Sequence, residues 1–172
     1  MSSITLKIAP ETAEQNEAVE WLGARAFGPG RFARAAFRLR EGVGHERAFS
    51  FTAVLEDGNG GHVLAGSVRL TRILIGDNPA LMLGPLVVSP HFKNLGIGRE
   101  LMNRSLRMVR LAGERFVFLV GDEPYYRKFG FKALPVGRII LPGPADPARM
   151  LYCEMQAGAL SDYSGMARRF VQ

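Results

Sequence analysis

The stretch from Leu81 to Leu101 constrains the fold of this 172-residue chain more than any other segment. It opens with a strongly apolar run, Leu81 to Val88, whose length and β-branched end favour a strand buried on both faces over a helix. Gly84-Pro85 lies inside that run, and proline cannot donate a hydrogen bond to a sheet ladder. The strand is therefore predicted to bulge, or to part from a neighbouring strand, at this point.

A basic, glycine-rich loop follows the strand and leads into a helix. The loop contains Gly96 and Gly98, with Lys93 and Arg99 on either side. The first turn of a helix leaves its backbone N–H groups unpaired and carries the positive end of the helix dipole, and glycine lets a phosphate approach closely. The order strand, glycine loop and helix predicts an anion site, although a glycine pair alone is as typical of a structural turn.

Two common nucleotide-binding loops do not fit this segment. A Walker loop needs a second glycine five residues after the first and then Lys-Ser/Thr, which is absent here. A dinucleotide fingerprint needs a third glycine three residues after the second, whereas Leu101 stands at that position. The anion site is therefore of another kind.

The pattern Lys93-x-x-Gly96-x-Gly98 after a strand resembles the coenzyme A pyrophosphate loop of the GNAT superfamily of acetyl-CoA-dependent N-acetyltransferases, usually Gln/Arg-x-x-Gly-x-Gly/Ala. Lys93 departs from the usual first residue but keeps a positive charge. A second stretch, from Phe116 to Phe131, is similar to the family's fifth strand, fourth helix and terminal Tyr-x-x-x-Gly-Phe. The resemblance covers roughly residues 4 to 157, with its specific motifs between Leu81 and Phe131.

The resemblance implies an α/β fold of the α+β type. Its mixed, mostly antiparallel sheet is flanked by helices and splays between the fourth and fifth strands. The residue pattern agrees, because a hairpin from Ala48 to Thr71 and a turn from Ile73 to Pro79 predict an antiparallel meander before the glycine loop. Phe116 to Val120 is predicted to lie parallel to Leu81 to Val88, so that both motifs meet beyond the carboxyl ends of these strands.

Other segments predict the remaining elements. We expect a strand at Ser2 to Pro10, a first helix behind a capping box at Thr12, a second helix at Arg31 to Arg40, and a last strand at Leu151 to Gln156. Gly113 is placed to end the helix after the glycine loop. The apolar face of that helix is predicted to comprise Ile97, Leu101, Met102, Ser105, Met108, Val109 and Ala112.

Composition bounds the class of protein. With 47% hydrophobic and 22% charged residues, we expect a single domain over residues 1–172. The chain shows neither a signal peptide nor an apolar run long enough to cross a membrane, which favours a cytoplasmic location and no membrane partner. The single cysteine, Cys153, lies in a strand-like segment and is predicted to be a buried thiol rather than a nucleophile.

A net charge of +6 raises the hypothesis of nucleic-acid binding. The basic residues are scattered, however, and no reading motif or interleaved aromatic pattern accompanies them. A solvated basic face accounts for them better. The same surplus charge would attract the anionic phosphates of acetyl-CoA.

The resemblance also implies how acetyl-CoA would be held. If Gly84-Pro85 opens the sheet, backbone groups of the following strand residues pair with the pantetheine arm, and the N–H of Leu86 or Val87 faces the thioester oxygen. The alternative is that Gly-Pro only marks a strand edge. The predicted cofactor-binding residues are Leu86, Val87, Val88, Lys93, Asn94, Leu95, Gly96, Ile97, Gly98, Arg99, Asp122 and Tyr125.

Tyr126 stands four residues before Gly130, at the position of the tyrosine that protonates the coenzyme A thiolate in many members of the family. It is the predicted catalytic residue, although Tyr125 is nearly as good by residue type and Tyr126 would also suit a place at the core edge. Asp122 either contacts the cofactor or caps the next helix.

No carboxylate lies between Ala80 and Val88, so the sequence identifies no general base. Deprotonation would have to use another strand, a water chain or Asp122. The three histidines, His45, His62 and His91, are predicted to be surface or turn residues, and their spacing predicts no metal site.

The resemblance therefore implies an N-acetyltransferase that moves the acetyl group of acetyl-CoA to a primary amine of a small molecule or peptide. Two other hypotheses are a non-catalytic acyl-CoA sensor, favoured by the missing base, and a basic nucleic-acid-binding module. A homodimer is left open. The acceptor is not specified, because four aromatic residues suit either a pocket or the core: Phe32, Phe37, Phe49 and Phe51.

Overall fold

The computed structural model of the chain describes residues 3–171, apart from the side chains of residues 32 and 33. Within that part the strands form a mixed, mostly antiparallel sheet in the order β1-β2-β3-β4-β5-β8-β6, and β9 joins β7 to β3. The strands are β1 (Thr5–Pro10), β2 (Phe51–Glu56), β3 (His62–Ile75), β4 (Asn78–Val88), β5 (Phe116–Val120), β6 (Lys132–Ala133), β7 (Ile139–Ile140), β8 (Met150–Glu154) and β9 (Gly165–Arg169).

Helices cover both faces of this sheet. They are α1 (Asn16–Phe27), α2 (Ala35–Arg40), α3 (Ile97–Leu111) and α4 (Glu123–Tyr126). One apolar cluster lies under α3 and contains Leu81 and Leu83, while the other contains Leu39 of α2 together with Met82. Neighbouring residues of β4 thus face opposite clusters, which confirms a strand buried on both faces. No helix in residues 3–171 has the length and apolar character needed to span a membrane.

The predicted meander is confirmed, with different boundaries. Strands β2, β3 and β4 pair antiparallel in succession. Strand β3 continues to Ile75, and the pair Ile75↔Asn78 closes a tight turn at Gly76-Asp77. The longer turn predicted from Ile73 to Pro79 is therefore wrong, because a glycine at φ +59° allows the chain to reverse within two residues.

The predicted bulge in β4 is also confirmed. Leu70 pairs with Leu83 and Val68 pairs with Leu86, so that Gly84 and Pro85 together stand opposite the single residue between them on β3. The parallel pairing of β4 with β5 is limited to Leu81↔Val117 and Met82↔Phe118. Beyond Met82 the two strands part, as the position of Gly84-Pro85 predicts.

Helix α3 largely follows its predicted apolar face. Leu106 is buried, whereas Met108 and Ala112 are exposed, contrary to the prediction. In the second half of the helix the buried residues are Ser105, Leu106 and Val109, so Met108 lies at the margin of the contact with the sheet, and Ala112 is the C-cap residue beyond the last helical residue. Gly113, at φ +76°, ends the helix as predicted, with the Glu114 amide donating to the Val109 carbonyl.

Two other predictions are wrong in extent. The segment from Arg31 to Arg40 is not one helix, because extended backbone at Arg34 separates a 3₁₀ turn (Pro29–Ala33) from α2. The chain also continues past β8 to β9, in which only Ala167 is buried. A strand with one buried side chain carries too little alternation to be recognised in the sequence.

Further boundaries follow the prediction approximately. Strand β1 begins at Thr5, and Ser2 of its predicted range lies outside the described residues. The amide of Thr12 donates to the side chain of Gln15 at 2.9 Å, so this half of the predicted capping box is present. It precedes a short 3₁₀ turn that continues directly into α1.

Gly66 on β3 lets α3 approach the sheet closely. A Cβ at this position would stand 2.8 Å from the Val87 carbonyl oxygen and within 3.2 Å of side-chain atoms of Ile97 and Leu101. These distances are shorter than a van der Waals contact, so an added methyl group would force the helix or strand to move.

We expect Gly66→Ala to lower the free energy of unfolding by about 1–3 kcal/mol, measured by urea denaturation. The matched control is Gly23→Ala in α1, where an added Cβ meets no atom within 4 Å. The control should raise stability by about 0.5–1 kcal/mol through helix propensity. Equal effects of the two substitutions would contradict the close approach at Gly66.

Candidate functional site

A cavity of about 940 Å³ lies where β4 and β5 part. The bulge Gly84-Pro85 and the end of β5 at Val120 form part of its wall, and residues of α1, α2 and the following loop form another part. The cavity therefore opens at the edge of β4 that no longer pairs with β5.

The backbone of β4 alternates in direction next to this cavity. The amide of Ser89 donates to the Ala65 carbonyl on β3 at 2.8 Å. Because successive strand residues point their backbone groups to opposite sides, Val87 also faces β3, while Leu86 and Val88 face away from it. In the described chain no strand pairs with that other edge beyond Met82. Leu86 and Val88 thus present backbone donors and acceptors to the cleft.

The glycine loop begins α3 directly beyond this edge. Gly96 has a φ of +75°, and the first hydrogen bond of the helix runs from the Glu100 amide to the Gly96 carbonyl at 3.1 Å. The amides of Ile97, Gly98 and Arg99 accordingly have no acceptor within the helix. The charged side chains of Lys93 and Arg99 are exposed around these amides, as are Asn94 and Leu95.

The two sequence motifs meet in space, as expected. The hydroxyl oxygen of Tyr125 stands 2.7 Å from the position that a Cβ on Gly98 would occupy, so the phenol lies over the first turn of α3. Lys128 lies over the same ring, 4.9 Å from its centroid. Burial raises the pKa of Tyr125 above its ordinary value of 10.0.

Tyr126 lines the cavity at the end of β5. Its ring packs so closely on Gly121 that a Cβ there would stand 2.4 Å from a ring carbon. Tyr125 and Phe131 contact the ring edge-on, with centroids 4.9 Å and 6.1 Å away. Burial raises the pKa of Tyr126 to about 12, so the phenol is protonated at neutral pH.

Asp122 occupies the N-cap position of α4, but its side chain makes no capping hydrogen bond. Its carboxylate lies 3.4 Å from the Arg149 guanidinium instead, and its backbone carbonyl accepts from the amides of Tyr125 and Tyr126. The interpretation of its side chain as a helix cap is therefore wrong, because a nearby cation attracts the carboxylate. A contact with the cofactor stays a prediction.

His45 is the principal functional candidate that the sequence did not identify. It is half-buried and lines the cavity, and its Nε2 lies 3.4 Å from an oxygen of the buried Glu11 carboxylate. Burial lowers the pKa of His45 below its ordinary value of 6.5, so the imidazole is neutral at pH 7. His45 lies in the loop that follows α2 and is half-buried rather than fully exposed, whereas His62 and His91 are exposed as predicted.

An ion cluster stands beside this histidine. The buried side chain of Arg69 donates two hydrogen bonds to Glu11, from Nε at 3.0 Å and from Nη2 at 2.5 Å, and a third to Glu20. Arg69 is the residue of β3 that lies opposite the Gly84-Pro85 bulge. Residues 11, 20, 45 and 69 share no sequence motif, and they meet only because the strands pair and α1 and the loop before β2 pack against them.

The remaining candidates divide between core and cavity. Phe49 and Phe51 are buried in the core, and Phe37 lines the cavity. The side chain of Phe32 lies outside the described residues.

Cys153 is buried in β8, and its burial raises the pKa of the thiol, in agreement with the predicted inert role. Within residues 3–171 no group of three or more His, Cys, Asp or Glu side chains is arranged to hold a metal ion.

Comparison with known proteins shows a match to one family of acetyltransferases. Residues 48–133, half of the chain, match the family model described as an acetyltransferase (GNAT) domain. The uncharacterized N-acetyltransferase YjhQ of Escherichia coli is 33% identical over 109 residues, which are 63% of this chain and 59% of that protein. The chain thus matches less than two thirds of the length of this relative.

Solved structures share the fold. The GNAT family N-acetyltransferase YhbS of Escherichia coli, in complex with CoA, superposes with a TM-score of 0.75 at 20% identity, over 98% of this chain and 91% of that one. A GNAT family acetyltransferase of Brucella melitensis, in complex with acetyl-CoA, superposes with a TM-score of 0.57 at 25% identity, over 90% and 97% of the two chains.

Proposed function

The chain belongs to the GNAT superfamily of N-acetyltransferases, and on this premise we propose that it moves the acetyl group of acetyl-CoA to a primary amine by direct attack in a ternary complex. One observation carries the proposal: the open edge of β4 runs up to the free amides at the start of α3. A ligand with amide groups in its middle and a diphosphate at one end matches both features. Acetyl-CoA has this chemistry.

The diphosphate would bind the amides of Ile97, Gly98 and Arg99, where the helix dipole favours an anion. Lys93 and the Arg99 guanidinium add positive charge, and the exposed Asn94 and Leu95 complete the loop. Two solved relatives support this choice of cofactor, since the YhbS structure contains CoA and the Brucella structure contains acetyl-CoA.

The pantetheine arm would pair with the open edge of β4. Leu86 and Val88 offer backbone groups on the open side, whereas Val87 faces β3. Of the two residues expected to face the thioester oxygen, we therefore assign the donor to the amide of Leu86. Tyr125 would cover the diphosphate end, because its phenol lies over Gly98.

The reaction needs one proton removed before attack and one delivered afterwards. A bound ammonium first loses a proton to a base. The free amine then attacks the thioester carbonyl, the C–N bond forms and the C–S bond breaks. The second proton of the attacking nitrogen ends on the sulfur, so the products are the N-acetyl amine and the CoA thiol.

We assign the base to His45. Its imidazole is neutral at pH 7, it lines the cavity that contains the open β4 edge, and the Glu11 carboxylate beside it stabilises the imidazolium formed on proton uptake. Four carboxylates of the described chain also line the cavity and are less suited: Glu20 and Asp122 each already face an arginine, and Glu41 and Asp146 are exposed.

We assign Tyr126 to the leaving sulfur. The high pKa of its phenol keeps the proton in place, so the hydroxyl donates a hydrogen bond to the sulfur as negative charge develops there. The sulfur can then accept the proton of the attacking nitrogen. This role requires Tyr126 to contact the cofactor, as the ring position beside Gly121 allows.

The two rival hypotheses have less support. The sensor hypothesis rested on a missing base, and His45 supplies a candidate. The nucleic-acid hypothesis needs a continuous basic surface, yet Arg72, Arg115 and Arg127 are each held in an ion pair with a neighbouring carboxylate. We therefore propose a single cytoplasmic acetyltransferase domain with a small-molecule or peptide amine as acceptor.

Acetyl-CoA binding tests the cofactor site directly. We expect Gly96→Glu to abolish binding measured by calorimetry, because a carboxylate would stand among the amides that receive the diphosphate. The control is Gly113→Glu at the other end of α3, where the glycine has nearly the same φ, +76° against +75°. Retained binding by Gly96→Glu, or equal loss in both variants, would contradict the proposed site.

Catalysis is tested by pH profiles with an active amine. An imidazole base must be neutral to work, so its contribution is present at neutral pH and is lost as the pH falls through the pKa of His45, which lies below the ordinary 6.5. We expect His45→Gln to lower kcat about 100-fold and to remove this acidic limb, with acetyl-CoA affinity unchanged.

Tyr126→Phe should lower kcat on the order of 10-fold to 100-fold at every pH and leave the acidic limb in place. Tyr152→Phe, a half-buried tyrosine of β8, provides the control. An unaltered pH profile in His45→Gln would exclude it as the base.

A further inference from the structure

Arg40 is a cation of the cavity that the proposed reaction does not use. It is the last residue of α2, and its Nη1 lies 3.4 Å from the position that a Cβ on Gly84 would occupy. The guanidinium therefore stands against the bulge in β4, where the sheet opens. Two residues earlier on the same helix, Arg38 is outside the cavity and donates to the Pro142 carbonyl at 2.9 Å.

No carboxylate or carbonyl of the described chain hydrogen-bonds or ion-pairs with the guanidinium of Arg40, whereas Arg38 and Arg69 each have such a partner. The acid that influences it most is Glu20, and Arg69 already holds that carboxylate. Arg34 and Arg69 add further positive charge nearby. Burial lowers the pKa of Arg40 to about 10, which still leaves the side chain charged at neutral pH.

A largely buried cation without an anionic partner destabilises the folded protein, and an anionic group of a ligand would remove that cost by pairing with it. The planar guanidinium fork fits a carboxylate in a bidentate manner. We propose that Arg40 binds the carboxylate of the acceptor, so that the acceptor is a small aminocarboxylate such as an amino acid. This inference rests on the proposed function and names the substrate class of the same site.

The spacing along β4 suits a short molecule. The interval from Leu83 to Leu86 on β4 stands opposite only two residue steps of β3, about 7 Å of strand at 3.3 Å per residue, so Gly84 lies within about 7 Å of Leu86, the assigned thioester donor. An amine that attacks beside Leu86 and a carboxylate on Arg40 can therefore belong to one short aminocarboxylate. A peptide with a distant carboxyl group would not bridge these points.

The rest of the cavity wall indicates what the acceptor carries besides its two charged groups. Apolar side chains of α1, α2 and their connection line it, among them Val19, Phe27, Ala36 and Phe37. An apolar side chain on the acceptor would find contacts there. Leucine and phenylalanine are therefore the first amino acids to test.

The test compares each amino acid with the amine that lacks its carboxylate: leucine with isoamylamine, and phenylalanine with phenethylamine. We expect wild type to prefer the amino acids, and Arg40→Gln to lose on the order of 100-fold in kcat/KM for them, with less than about 3-fold change for the amines. Arg38→Gln removes the same charge from the same helix and should change neither class.

Binding gives a second readout that does not depend on turnover. In saturation-transfer NMR with the CoA complex, leucine should contact wild type and Arg38→Gln but not Arg40→Gln. An equal loss for amino acids and amines would show that Arg40 serves acetyl-CoA and would overturn the inference. A preference for an aminoalkyl phosphate over the aminocarboxylates would also overturn it.

Calorimetry with acetyl-CoA distinguishes a failure of the acceptor inference from a failure of the proposed acetyltransferase function. If wild type binds acetyl-CoA but neither binds nor acetylates any aminocarboxylate, the acceptor inference fails and the proposed function stands. If wild type does not bind acetyl-CoA, the proposed function itself fails. Unchanged acetyl-CoA affinity in Arg40→Gln is expected, because Arg40 lies away from the glycine loop.

Discussion

The parting of β4 from β5 is the constraint on which the rest of the site depends. A parallel pair that stayed closed would satisfy its own backbone groups and leave no edge for a ligand. Gly84-Pro85 prevents this, because proline supplies no amide and Gly84, at φ +137°, adopts backbone that other residues rarely take. The two residues oppose only one on β3, and pairing with β5 ends before them. Unpaired backbone at Leu86 and Val88 follows.

The same bulge organises the charges of the cavity. Arg69 stands opposite it on β3 and holds Glu11 and Glu20, which in turn leaves Glu11 beside His45 and leaves Arg40 without a carboxylate of its own. The cavity wall at the open edge thus includes an arginine paired with carboxylates, a neutral imidazole and an arginine without a carboxylate partner. Arg69 donates hydrogen bonds to carboxylates of the same chain. His45 can still accept a proton from a substrate, and Arg40 can still bind an anion of a substrate.

Local patterns predicted the central part of the fold, because the apolar strands and the glycine loop each carry their signal within a few residues. The bulge at Gly84-Pro85 and the meeting of Tyr125 with Gly98 were predictable for this reason. Strand β9 and the cluster around His45 were not, since one buried residue does not define a strand and residues 11, 45 and 69 meet only through sheet pairing. The lack of a carboxylate partner for Arg40 could not be predicted from the sequence either, because it depends on which side chains the fold places around the guanidinium.

The most direct measurement of the central claim is amide hydrogen exchange, followed by NMR with and without CoA. The amides of Leu86 and Val88 face the open edge, so they should exchange readily in the free protein and become protected when CoA binds. The Val87 amide, which faces β3, should be protected in both states and serves as the internal control. Protection of Leu86 and Val88 before CoA is added, or no gain of protection on binding, would contradict an edge held open for the cofactor.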